Sequence, residues 1–120
     1  MPKILAFSGS ARKSSFNQKL VAIAAEGASA AGADITLINL ADYPMPMFDE
    51  DLEASEGMPA AAKAFKQLLI DHDGMLIASP EYNSAFSPLL KNAIDWATRP
   101  FGPDIKSAPP FAGKYAAIMA

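Results

Sequence analysis

The sequence predicts an α/β domain built on a parallel sheet, and three observations predict it. Apolar runs of strand length alternate with amphipathic helical stretches in the order βαβαβαβ. The third of these runs, Gly74 to Ser79, is apolar throughout, as a strand covered on both faces must be. The chain has 120 residues, 51% hydrophobic and 19% charged, which suits one folded domain with one core.

Each element has its own signal. Ile4 to Phe7 is a short apolar run of buried-strand type. From Ser15 to Ala31, Leu20, Ile23, Ala24, Ala28 and Ala31 recur at helical spacing, and Gly32 stops the helix. Asp34 to Leu40 is rich in Ile, Thr and Leu and reads as a second strand. Tyr43 to Met58 reads as a loop, with two prolines followed by an acidic run from Asp49 to Glu56. Pro59 to Ile70 starts on proline and aligns Ala62, Phe65, Leu68 and Leu69, a helical face. After the third strand, Pro88 to Ala97 forms a helix with Leu89, Leu90, Ala93, Ile94 and Ala97 inward. Arg99 to Gly113 is a loop with four prolines, and Tyr115 to Ala120 begins a fourth strand.

A parallel sheet of this kind carries helices on both faces and binds ligands beyond the C-terminal ends of its strands. With strand order 2-1-3-4-5, strands 1 and 3 are neighbours, and the loops that follow them share one pocket. The pattern is cut short after strand 4, with no covering helix behind Tyr115 to Ala120. The expectation is therefore a part of a longer domain.

Composition removes whole classes of chemistry. With no cysteine there are no disulfides, thiolate metal sites, iron–sulfur clusters or thiol nucleophiles. A single histidine, His72, leaves no Ser-His or histidine-metal constellation, and it is expected to bind carbonyls at a helix end. The net charge of −3 and pI near 5.0 speak against a nucleic-acid partner. No apolar run approaches the ~20 residues of a membrane helix, and Met1-Pro2-Lys3 runs straight into a strand rather than a signal-peptide core. The expected protein is cytoplasmic, with no membrane partner. The acidic run lacks EF-hand spacing and is read as a solvated loop, not a metal site. Trp96 is read as core, and Met45 and Met47 as either loop packing or the lining of a tolerant substrate site.

Two loops carry the informative chemistry. The first, Ser8-Gly9-Ser10-Ala11-Arg12-Lys13-Ser14-Ser15-Phe16-Asn17, gathers four hydroxyls, an arginine, a lysine and an asparagine at a helix N-terminus. Free N–H groups and the helix dipole favour an anion there, and Arg12 supplies a planar fork that matches phosphate. The Gly-x-Gly-x-x-Gly dinucleotide fingerprint and the P-loop pattern are both missing. Hydroxyls in place of glycines suit a terminal monophosphate; the plainer reading is an ordinary N-cap on Ser14 or Ser15. The second loop, Ser79-Pro80-Glu81-Tyr82-Asn83, offers backbone groups, an aromatic face and an amide, the parts needed to cradle a flat heteroaromatic ring. Its plainer reading has Tyr82 packing and Asn83 turning.

Gly9-Ser10-x-Arg12-x-x-Ser15-x-Asn17-x-x-Leu20, taken with Pro80-Glu81-Tyr82-Asn83 and Leu90-Lys91-Asn92-Ala93-Ile94-Asp95-Trp96, resembles the NADPH-dependent FMN reductase family. This flavodoxin-like group, a three-layer sandwich, includes quinone, azo-dye and chromate reductases, and the likeness covers essentially the whole chain. It implies that Ser10, Arg12, Ser15, Phe16 and Asn17 wrap the FMN phosphate. It implies that Pro80, Glu81, Tyr82 and Asn83 lie along the isoalloxazine ring, with Tyr82 and Asn83 closest to the reactive edge. It also implies NAD(P)H as electron donor, a small-molecule acceptor, and a homodimer or homotetramer. Ser84-Ala85-Phe86 departs from the Gly-Ser-Ile of many relatives, and the family's fifth strand, final helix and third flavin loop have no counterpart here. A flavodoxin-like electron carrier without NAD(P)H turnover stands second. A phosphoacceptor domain of the same topology would need acids at the end of strand 1, where this chain has Ser8-Gly9-Ser10.

Overall fold

The computed structural model describes residues 1–102 and 109–120. Its main sheet has four strands: β1 (Lys3–Ser8), β2 (Asp34–Leu37), β3 (Gly74–Ala78) and β6 (Tyr115–Met119). They are parallel in the order β2-β1-β3-β6, so β6 takes the place of the predicted fourth strand and β1 and β3 are neighbours. Helices α1 (Phe16–Ala30), α2 (Glu50–Glu56), α3 (Ala60–Asp71) and α4 (Pro88–Ala97) complete the chain with a short antiparallel hairpin, β4 (Glu81–Tyr82) and β5 (Ala85–Phe86).

Strand alternation divides the core between the two faces. Leu5 and Phe7 of β1 and Met75 and Ile77 of β3 point to the side covered by α3 and α4, where they meet Phe65, Leu69, Leu90 and Ala93. Phe65 stands edge-on to Phe7, with ring centroids 5.3 Å apart, a favoured aromatic geometry. Ala6 and Ala78 point the other way, and their small side chains let Val21 and Ala25 of α1 lie close against the sheet.

Two stretches read as loops are ordered differently. Tyr43 to Met58 contains α2, because Asp49 caps it through Oδ1 to the amides of Asp51 (2.8 Å) and Leu52 (3.4 Å). Glu50, Asp51 and Glu53 then complement the positive helix end, and Gly57, at φ 77°, ends it. The acid run that reads as solvated loop is thus a capped helix, tied down by Arg99 Nε to Glu53 at 2.9 Å. The Glu53 carboxylate holds the Arg99 guanidinium above its ordinary range by hydrogen bond and charge. The second stretch is the hairpin. Asn83 and Ser84, at φ 53° and 65°, take both central positions of its two-residue turn, as a type I′ connection requires. Strand β2 is also shorter than its apolar run, because Asn39 Oδ1 accepts from Ala41 N and opens a 3₁₀ turn over Leu40–Asp42. In the predicted proline loop from Arg99 to Gly113, residues 103–108 lie outside the described residues.

Two side chains fasten the far end of α3. His72 places Nδ1 2.6 Å from Leu68 O and Nε2 3.0 Å from Thr36 Oγ1, joining α3 to β2 in the structural role read from its position. Lys114 donates to Leu69 O and, at 3.0 Å, to Ile70 O, so it caps the carbonyl end of α3 just before β6 begins. Burial pushes the Lys114 ammonium down, against the pull of Asp73 and Asp71. Strand β6 itself is exposed on most of its length, with Tyr115 and Ile118 among the largest open apolar side chains. An apolar groove of about 540 Å³ runs beside it under the α1 face, lined by Ile4, Ala28, Gly74, Leu76, Tyr115 and Ala117 among others.

At the carboxyl edge of the sheet, the exits of β1 and β3 are knotted together. Gly9 N donates to Ala78 O at 2.7 Å, and Ser87 Oγ donates to Gly9 O at 2.5 Å. The same Ser87 oxygen accepts from Leu90 N (3.2 Å) as the N-cap of α4, and Ser87 N donates to Ser79 Oγ at 3.2 Å. A Cβ on Gly9 would stand 2.7 Å from Ser87 Oγ and 2.8 Å from Ser79 Oγ, so only glycine lets the loops approach this closely.

Three outcomes follow from this packing, all read by urea unfolding. Phe65→Ala is expected to lower stability by about 3–5 kcal/mol, the usual cost of emptying a buried aromatic site. Gly9→Ala is expected to cost about 1–3 kcal/mol by overpacking the knot, and Ser87→Ala about 1–3 kcal/mol by leaving a buried carbonyl unpaired. A Gly9→Ala protein as stable as the parent would show that the two loops can separate freely.

Candidate functional site

The first loop curls through consecutive serine turns. Ser8 Oγ accepts from Ser10 N at 3.0 Å, and Ser10 Oγ accepts from Arg12 N at 3.4 Å. Arg12 Nη2 then donates to Ser14 O at 3.1 Å, and Ser15 N donates to Arg12 O at 3.1 Å. Ser15 is the N-cap of α1, accepting from Gln18 N at 3.2 Å, which settles the choice between Ser14 and Ser15. The hydroxyl oxygens of Ser8, Ser10 and Ser15 each accept, which leaves their O–H protons available to donate.

The donors left over are numerous. The first-turn amides of Phe16 and Asn17 have no acceptor among the described residues, as at any helix start. Arg12 is exposed and meets no carboxylate among the described residues. The segment Ser8 to Leu20 holds Arg12, Lys13 and Lys19 and no acid. Asn17 Oδ1 is buried with no partner among the described residues, an acceptor open to a hydroxyl or N–H. Phe16 points outward at 75% exposure, so what it offers the loop is its main-chain N–H rather than its ring.

The second loop is a projecting hairpin. Pro80 ends β3, and the hairpin pairs Glu81 with Phe86 and Tyr82 with Ala85. Tyr82 is 53% exposed and Phe86 47%, so Tyr82 does not pack into the core and offers an open aromatic face. Asn83 occupies the left-handed turn position, so the turning role is correct for it, and its exposed amide stands at the tip. Glu81 is the one carboxylate of the two loops, and it too is exposed.

Residue by residue, Ser10, Arg12, Ser15, Phe16 and Asn17 lie on one turn at the head of α1, while Pro80, Glu81, Tyr82 and Asn83 lie on the exit of β3. The pairing of Ser8 with Ala78 brings these two exits side by side, and the Gly9–Ser79–Ser87 knot fixes them there. Ser79 and Ser87 carry no role in the sequence reading. The available signal for Ser87 is serine before proline at a helix start, an N-cap followed by Pro at N1. Its second bond, across 78 residues to Gly9, leaves no local trace.

Comparison with known proteins places this geometry. The family model described as NADPH-dependent FMN reductase matches residues 2–120. The chain is 42% identical over 100 residues to an NADPH:quinone oxidoreductase of Arabidopsis thaliana, covering 82% of this chain and 50% of that protein. It is 39% identical over 110 residues to a 2-hydroxy-1,4-benzoquinone reductase of Burkholderia sp, covering 92% and 57%. Among solved structures, FerB of Paracoccus denitrificans, a flavoenzyme NAD(P)H:(acceptor) oxidoreductase, superposes with TM-score 0.76 at 31% identity, covering 98% of this chain and 59% of that one. The chain thus spans about half the length of the curated relatives it matches. With its parallel β2-β1-β3-β6 sheet and the two knotted loops at the carboxyl edge, the chain belongs to the NADPH-dependent FMN reductase family.

Proposed function

We propose that residues 1–120 form one flavodoxin-like FMN-binding domain of an NAD(P)H-dependent oxidoreductase that passes electrons to quinone-, azo- or chromate-type acceptors. The observation that carries this reading is the knot at Gly9, which sets a loop of hydrogen-bond donors beside an open aromatic hairpin. The two quinone-reducing relatives support the quinone class of acceptor.

The residues present fit FMN. Ser10, Ser15, the free amides of Phe16 and Asn17, and the Arg12 guanidinium make a set of donors around a helix N-terminus, which suits a phosphate dianion. The unpartnered Asn17 Oδ1 suits a neighbouring hydroxyl, which a ribityl chain supplies. Pro80, Glu81, Tyr82 and Asn83 provide an edge of backbone groups and one aromatic face for a flat ring. When bound, FMN supplies the hydride and electron chemistry itself. The chain's own work is to anchor the phosphate, hold the ring through a hairpin that is already formed, and set which molecules reach it. No protein nucleophile is needed, in keeping with a cysteine-free sequence.

Among the described residues no helix is long and apolar enough to cross a membrane, and the same reading makes the protein cytoplasmic. It further makes the working form a homodimer or homotetramer.

Arg12→Ala is expected to weaken FMN binding about 10- to 100-fold, from the loss of roughly 1.5–3 kcal/mol of charge-assisted bonding. Quenching of flavin fluorescence on titration measures it, and the unfolding midpoint should not move, because Arg12 is exposed. Unchanged FMN affinity in this variant removes the phosphate assignment. FMN-loaded protein should oxidise NADPH when a quinone is present; flavin binding without that turnover would point instead to an electron carrier.

A further inference from the structure

The segment between β2 and α2 is tied to α4 on either side of Met47. Met45 is half-buried and lines a small cavity with Leu40, Tyr43, Leu89 and Ala93. Phe48 stands edge-on to the fully buried Trp96, with centroids 4.9 Å apart. Asn92 Nδ2 donates to Pro46 O at 3.0 Å, and Asn92 Oδ1 accepts from Phe48 N at 2.8 Å. Trp96 Nε1 donates to Pro46 O as well, at 2.8 Å. The Asn92 amide therefore brackets Met47 as a neighbouring strand would, bonding the carbonyl before it and the amide after it. Met47 itself is 73% exposed.

An exposed methionine on a fixed backbone is an unusual use of the residue. Its flexible, polarizable thioether ordinarily fills gaps or meets aromatic surfaces. The position gives it something to meet. The segment leaves the carboxyl end of β2, on the same edge of the sheet as the loops after β1 and β3. Asn92 stands four residues, or about 6 Å of helix, from the first residue of α4, whose cap Ser87 belongs to the Gly9 knot. The bracket thus ties Met47 to the helix that starts from the knot of the two-loop site.

We propose that Met47 is a specificity-determining residue that grips the ring of an apolar acceptor such as a para-quinone, and that Asn92 is its positioning residue. This rests on the oxidoreductase reading above. Met47 supplies a thioether contact to the face or edge of the acceptor ring, and Asn92 acts only by keeping residues 46–48 extended along α4.

The single tryptophan makes the test direct, because Trp96 is bonded to the segment that carries Met47. FMN-loaded protein is titrated with 2-methyl-1,4-naphthoquinone while Trp96 emission is followed, with free tryptophan amide as the collisional control. NADPH turnover with the same quinone is measured in parallel. Saturable quenching is expected. Met47→Ala and Asn92→Ala should each raise the quinone dissociation constant and KM about five- to tenfold. KM for NADPH and the FMN dissociation constant should hold, a split that general loosening of the fold would not produce. Asn92→Asp, which keeps the acceptor for Phe48 N and loses the donor to Pro46 O, should fall between. Ile23→Ala, an equally exposed apolar residue on α1, should leave all four constants as they are. NADPH turnover with a quinone KM indifferent to Met47 overturns the inference and leaves the oxidoreductase reading standing. Saturable, Met47-dependent quinone binding without turnover supports the contact and removes that reading. Quenching no different from the free tryptophan control overturns the contact outright.

Discussion

One hydroxyl organises this molecule. Ser87 Oγ gives its proton to Gly9 O, at the exit of β1, and with the same oxygen receives Leu90 N–H, at the start of α4. A buried oxygen used as donor and acceptor at once has little freedom to turn, because either rotation leaves a backbone group unpaired in the core. The position of the first loop, the departure angle of α4 and the base of the β4–β5 hairpin are therefore set by a single side chain. Gly9 is the other half of the constraint: its missing Cβ is the space the two serine hydroxyls occupy. Take away either element and the sheet can persist, but the two loops lose their fixed spacing.

That fixed spacing matters because the loops differ in kind. The one at the head of α1 is a set of donors with few internal acceptors left to satisfy. The hairpin after β3 is an aromatic and amide ledge whose turn sits in the left-handed region at Asn83 and Ser84 without a glycine. A turn of that conformation carries its own backbone cost. On the proposed reading the hairpin is formed before a ring arrives, and less ordering remains to be done on binding.

Most of the architecture was legible because it rests on period and punctuation. Pro88 to Ala97 reads directly as a helix from its stripe of Leu89, Leu90, Ala93, Ile94 and Ala97, and it spans those residues. The donor-rich composition of Ser10 to Asn17 was legible, and so was a helix cap at Ser14 or Ser15, which falls on Ser15. What escaped were features made by pairs. The acidic run hid α2, because Asp49 as a cap looks like any aspartate in an acidic loop until its bonds to Asp51 N and Leu52 N are seen. The hairpin escaped because two-residue strands are too short for alternation to register, and Asn83-Ser84 lacks the glycine that usually announces a type I′ turn. Ser79 and Ser87 escaped for a different reason: their partners lie in another loop, and spacing within one segment holds no record of a bond across 78 residues.

Strand β6 shows what a parallel sheet can specify about a neighbour. Lys114 fixes the point at which β6 enters the sheet, and pairing with β3 fixes its register. Its other edge lies at the end of the order β2-β1-β3-β6, with a ladder of backbone donors and acceptors already spaced and oriented. An edge of this kind is a template: a strand that joins it in parallel has its direction and register dictated by β6. Its following loop would emerge at the carboxyl edge, alongside the hairpin. The geometry of the sheet therefore encodes where further chemistry would be delivered, whichever polypeptide brings it.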